Sequence, residues 1–234
     1  MNSTRTSAVV AGVFFIVAAV AAVIALALYG PVLNDANFVI GGSTHDTQVV
    51  WGAFFEIIVV ISVIGTAATL FPIVRRQNES VALGYVAGRT VEAVIIAVGI
   101  MSLLSVVTLR QDFAAAGGAN AATLLIAAKS LVVVHNWTFL FGPSLAIGVN
   151  TLMLAYLMFS SRLVPRIIPL LGLIGGPVIF FSGIAEMFGL YQQVSVWGGI
   201  GALPVTAWEL SLAIWMIVKG FKPVPNSAGA TAPR

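Results

Sequence analysis

The chain has 234 residues, of which 59% are hydrophobic and only 8% charged, with a formal net charge of +3; a soluble domain averages about 45–50% apolar and 25% charged residues. That balance excludes a soluble enzyme. The absence of cysteine removes disulfide frameworks, thiolate catalysis, thiolate-bound zinc, iron–sulfur clusters and CxxC redox chemistry, which leaves His, Asp and Glu as strong metal ligands. The basic residues lie at the ends of apolar runs rather than in a patch, so they encode membrane topology and no nucleic-acid partner is expected.

In chain order, the first apolar run covers residues 7–29 behind Arg5. Ala25-Leu26-Ala27 resembles a signal-peptide cleavage site, but the run exceeds the ~7–15 residues of a signal h-region and reads as a retained span. A second run, 49–74, ends on Arg75 and Arg76, and a third covers 83–109. The stretch 120–134 is apolar but carries Lys129 and would reach only ~22 Å, so it reads as an interfacial or re-entrant helix leading into the fourth run, 136–159. Runs at 167–189 and 197–219 complete the set. The expected fold is an all-α polytopic membrane bundle of about six transmembrane helices plus one interfacial helix, in a single domain over residues 1–222. The remaining Pro-, Ala- and Ser-rich tail, 223–234, has nothing to bury and is expected to be disordered.

With six crossings, Arg5, Arg75, Arg76, Arg162, Arg166, Lys219, Lys222 and Arg234 fall on one side and only Arg110 and Lys129 on the other. The positive-inside rule then makes both termini cytoplasmic in a cell (inner) membrane. Tyr29, Trp51, Trp137, Tyr191 and Trp197 all fall at the opposite ends of the spans, where amphipathic rings favour the headgroup level.

The run Leu70-Phe71-Pro72-Ile73-Val74-Arg75-Arg76, followed by Ala82-Leu83-Gly84-Tyr85 with Arg89 and Glu92, resembles a family of bacterial multi-pass membrane proteins known as DUF4386. Leu163-Val164-Pro165-Arg166, Leu171-Gly172-Leu173-Ile174-Gly175-Gly176, and Trp208-Glu209-Leu210 with Lys219-Gly220-Phe221 extend the resemblance over nearly the whole chain. It implies a bacterial inner-membrane protein and brings no activity. The family pattern has an Asp beside its loop histidine where this chain has Asn136.

Ionisable side chains inside a bilayer are costly and face a bundle interior or a water-filled cavity. Five qualify: Glu56, Arg89, Glu92, Glu186 and Glu209. Tyr85, Arg89, Glu92, Gly99 and Ser102 follow helical spacing and form one polar stripe. By helical rise Arg89 is within reach of Glu92 on its own helix and of Glu209 across helices. Such a group can be an ion pair that only fixes helix register. Yet four glutamates oppose one arginine, and each uncompensated charge would cost several kcal/mol, so protons or cations are needed. A second group, His45, Asp46, Glu56, His135, Asn136 and Glu186, falls in the outer third, where His45, His135, Glu56 and Glu186 are candidate metal or haem ligands meeting at one mouth. No HExxH or Glu-x-x-His spacing accompanies them, and interfacial histidines explain the same pattern. Small-residue faces, including Leu83-Gly84 with Gly88 and the similar Leu171-Gly172 with Gly176, read as packing surfaces.

Three functions fit: proton- or cation-linked movement of a small solute or ion, using Tyr85, Arg89, Glu92 and Glu209; a membrane-embedded metal or haem enzyme at the outer group; or a structural or accessory subunit. Cofactor, substrate and oligomeric state are not written in the residues. The topology has a direct check. With single cysteines at Ser43 and Ser80, an impermeant thiol reagent on intact cells should label Ser43→Cys and spare Ser80→Cys; the reverse pattern inverts the assignment.

Overall fold

The computed structural model describes residues 3–35, 37–41, 45–117 and 120–222; the tail 223–234, for which disorder is expected, lies outside the described residues. Apolar segments that lack water partners must satisfy their backbone groups internally, and the chain does so with helices. They are α1 (Ser3–Leu28), the short α2 (Gly30–Asn34), α3 (Asp46–Val74), α4 (Glu79–Ala115), α5 (Ala121–Leu140), α6 (Ile147–Ser161), α7 (Ile167–Met187) and α8 (Val196–Val218). A π-helical turn, Phe141–Ala146, joins α5 to α6 without a break. Side-chain caps open two of them: the Asn78 carbonyl accepts from the Val81 N–H at 3.1 Å, and the Ser195 hydroxyl accepts from the Gly198 N–H at 3.2 Å.

Among the described residues six helices are long and apolar enough to cross a membrane, the fourth being the continuous stretch Ala121–Ser161. Their outward faces carry large apolar side chains such as Val23, Ile61, Met101, Phe181 and Leu203, a surface suited to lipid. α1 packs between α3 and α8; α4 packs on α3, α5 and α6; and α7 lies between α6 and α8. The helices thus form a closed ring.

The ring closes through the chain ends. Arg5 donates to the carbonyls of Met216 at 2.9 Å and Ile217 at 2.8 Å in the last turn of α8, where carbonyls run short of intrahelical donors. The Lys222 N–H donates to the Leu163 carbonyl at 2.8 Å, bringing the turn between α6 and α7 to the same face. Arg75, Arg166 and Lys222 lie over the rings of Phe71, Phe159 and Trp215. The start of α1 and the end of α8 therefore share one face with these basic residues.

The helix expected to lead into the fourth span is α5, and it continues through the π-helical turn into α6 as one rod of about 60 Å by helical rise, roughly twice the hydrocarbon thickness. α4, with 37 residues, is nearly as long. Their excess projects beyond the face opposite the chain ends, where the Ser102 hydroxyl donates to the Leu131 carbonyl at 2.6 Å and Arg110 pairs with Asp46. A local core of Leu103, Val106, Val107 and Ala128 with Val32, Phe38 and Val39 makes this overhang stable. One expectation requires correction: Tyr29 does not stand in an interfacial belt. It is fully buried over Gly52, where an added Cβ would lie 2.7 Å from the ring, whereas Trp51, Trp137 and Trp197 are exposed.

The repeated Leu-Gly segments have a packing explanation. Gly84 and Gly88 of α4 lie against Met153 and Asn150, while Gly172 and Gly176 of α7 lie against Ala155 and Leu152, so both small-residue faces clasp α6.

Hydrogen bonds to a charged group contribute about 1.5–3 kcal/mol, so Arg5→Ala should destabilise the protein by about that amount in thermal or chemical denaturation. An unchanged transition would remove Arg5 from the closure of the ring.

Candidate functional site

Arg89 projects from the buried face of α4 into the bundle centre and is 4% exposed. Its guanidinium bonds both oxygens of Glu92, at 3.2 and 3.1 Å, and Oε1 of Glu209 on α8 at 3.1 Å, while its Nε donates to the Tyr85 hydroxyl at 3.4 Å. The rings of Phe15 and Tyr85 lie 5.6 and 5.7 Å from its Cζ. The aromatic contacts and hydrogen bonds offset part of the cost of taking a cation out of water.

The polar stripe predicted along the third span does occupy one buried face: Tyr85, Arg89, Glu92, Gly99 and Ser102 are all buried. Its outstanding partner is one the sequence reading missed. Asn150, 1% exposed on α6, donates from Nδ2 to Glu92 Oε2 at 2.7 Å. Gly88 makes the room, because a Cβ there would fall 2.0 Å from Asn150 Oδ1. The signal was present in the sequence as an amide well inside a span rich in small residues, beside Thr151.

A cavity of about 120 Å³ adjoins this group, walled by Phe15, Val63, Thr66, Ile96, Pro143 and Ile147, with Arg89, Glu92 and Glu209 at its edge. Every long span except α7 contributes to this wall. The site holds two carboxylates against one guanidinium, so with both acids ionised its formal charge is −1. One proton or one cation would bring it to neutrality.

The second predicted group divides. Asp46 is paired with Arg110, and His45 stands exposed at the start of α3, its carbonyl accepting from the Val49 N–H at 3.2 Å. Glu56 accepts from the Tyr29 hydroxyl at 2.8 Å, and the His135 ring meets the Tyr29 ring edge-on at 5.5 Å. His135 Nδ1 lies 3.4 Å from the Gly99 carbonyl. Glu186 accepts from the Ser182 hydroxyl at 3.3 Å, and Ser182 is in turn bonded to the Tyr191 hydroxyl at 2.8 Å. Among the described residues no three His, Asp or Glu side chains gather closely enough to hold a metal ion. His135, Asn136 and Glu186 nevertheless line one cavity of about 790 Å³ on the face opposite the chain ends.

Pro143 links the two regions. Proline has no N–H to give the carbonyl four residues earlier, and its ring crowds that position. The carbonyl concerned belongs to Phe139, and it accepts instead from Gln193 Nε2 at 2.8 Å. Gln193 also reaches the Ser144 hydroxyl at 3.3 Å. Nothing in the sequence near residue 193 announces this long-range contact.

The closed helical ring, its lipid-suited exterior and its buried ionic centre define a polytopic helical membrane protein. Residues 10–220 match the model of DUF4386, a domain of unknown function, and the chain belongs to that family. No curated protein and no solved structure matches it.

The Gly88–Asn150 contact yields a test that does not depend on function. Overpacking a close contact costs about 1–3 kcal/mol, so Gly88→Ala should destabilise the protein by that amount, and less in an Asn150→Ala background. Additive losses in a double-mutant cycle would show that the two positions do not compete for the same space.

Proposed function

We propose that this protein moves a small solute or ion across the bilayer, with the Arg89–Glu92–Glu209 group as its proton- or cation-linked centre. The observation that carries the reading is the unequal charge of that group beside a cavity: two carboxylates share one guanidinium where α4, α6 and α8 meet. A purely architectural pair needs one acid. The second acid leaves a position for a mobile positive charge, and its exchange alters what holds α8 to α4. Glu209 is the better candidate for exchange, since its side chain is 19% exposed and makes one Arg89 contact, whereas Glu92 is 4% exposed and is held by Arg89 and Asn150. Arg89 would remain the fixed counter-ion, with Tyr85 and Phe15 keeping its orientation through both states.

The π-helical turn between α5 and α6 supports the same reading. Non-α backbone at membrane depth is tolerated where it lines protein or a cavity, and the π-helical turn carries Pro143 on the cavity wall. Alternating access in this scheme is a change in the α5–α6 angle about that turn, with α8 released or held by the charge state of Glu209.

The test uses purified protein in liposomes containing a pH indicator. Adding small amines, amino acids or sugars outside under an imposed pH gradient should produce a solute-dependent internal pH change for at least one class. Glu209→Gln should reduce that coupling tenfold or more while keeping the wild-type melting temperature. No pH change with any class, or an undiminished change in Glu209→Gln, would make the group an architectural ion pair.

A further inference from the structure

We infer that the large cavity opposite the chain ends is a binding site for a small organic cation, an amine with an attached apolar group, and that Glu186 is its anchor. This inference rests on the transport reading only for its biological purpose; the binding itself is an independent property of the site. The cavity of about 790 Å³ falls within the ~300–1,000 Å³ of small-molecule pockets.

Its chemistry is one-sided. Among the described residues that line it, Glu186 is the one carboxylate, and no Lys or Arg accompanies it. One oxygen of Glu186 accepts from Ser182, but the other, Oε2, is buried without a hydrogen-bond partner. A buried acceptor left in this state is costly, and an ammonium group supplies both the missing donor and the opposite charge. An anion would meet the carboxylate's repulsion, and a neutral alcohol would leave its charge uncompensated.

The remaining wall fits the rest of such a ligand. Trp137, Phe139 and Tyr191 offer aromatic surface, which attracts cations through the ring quadrupole and accommodates an apolar group. Asn34 and Gln192 add neutral hydrogen-bonding groups at the rim. Two neighbouring spaces lead inward. A cavity of about 280 Å³ shares Phe139, Glu186 and Gln193 with the mouth and reaches Pro143, and Pro143 also walls the 120 Å³ space beside Arg89 and Glu209. A cation entering at Glu186 therefore faces a succession of spaces that ends at the group with one acid too many. Gln193, bound to Phe139 and Ser144, stands at the boundary between the mouth and that second space.

The test compares phenethylammonium with 2-phenylethanol, which share a ring and chain length but differ in charge, by isothermal titration calorimetry on the purified protein in lipid nanodiscs, with empty nanodiscs as the blank. Phenethylammonium should bind saturably and at least tenfold more tightly than the alcohol, and Glu186→Gln should weaken it tenfold or more while Glu209→Gln leaves it within twofold. Equal affinity for the two probes in the wild-type protein, or no saturable binding of phenethylammonium, overturns the inference whether or not the variants fold. Undiminished binding in Glu186→Gln overturns it as well. Cation binding at Glu186 without solute-driven flux would sink the transport reading and keep the site; flux without cation binding at the mouth would do the reverse.

Discussion

A guanidinium inside hydrocarbon sets the terms for this fold. Arg89 lies among helices with no bulk water to solvate it, so its donors must be met by neighbouring side chains. Glu92 does so from the same helix, Tyr85 from one turn earlier and Glu209 from α8. Asn150 then holds Glu92 from α6. One cation consequently ties three helices that are distant in sequence, and Gly88 is required because α6 must come close enough for its amide to reach. The small residues on α4 and α7 are the steric half of the same arrangement, since they let α6 approach from both sides.

Pro143 acts on the other half of the bundle. Its missing N–H would leave the Phe139 carbonyl without a partner, and the chain answers with a π-helical turn and the side chain of Gln193 from the loop before α8. A local backbone defect is thus repaired by a tertiary contact. The same repair sets the boundary between the wide mouth and the narrower interior spaces, so the geometry of access is linked to how a single carbonyl is satisfied.

The sequence made the membrane class and the six long apolar segments readable because both depend on composition and run length, quantities local to the chain. The reach of Arg89 to Glu92 and Glu209 was also readable, since helical rise alone gives the depth of each residue. Three features escaped that arithmetic. The stretch 120–134 was legible as a helix leading into the fourth span, but its unbroken continuation through Pro143 was not, because proline reads as a helix stop and a π-helical turn absorbs it. Tyr29 looked interfacial because ring chemistry does not tell whether the ring meets lipid or the Gly52 notch. The outer acids and histidines share a depth but not an azimuth, so Asp46 goes to Arg110 and Glu56 to Tyr29, and among the described residues no three of them gather. Asn150 and Gln193 are single amides whose importance lies wholly in what stands opposite them.

The ring that Arg5 closes has a temporal side. Chains emerge from the ribosome N-terminus first and begin to fold as they do so. Arg5 is made long before the carbonyls it binds, which belong to Met216 and Ile217 of α8. Arg89 likewise waits for Glu209, held until then by Tyr85 and Glu92 of its own helix. During synthesis α1 and α4 must therefore persist in the membrane with neither cation yet bound to α8. That helix acts as the keystone of assembly: a chain arrested before it lacks both the Arg5 contact that fastens α1 and the Glu209 contact that fastens α4.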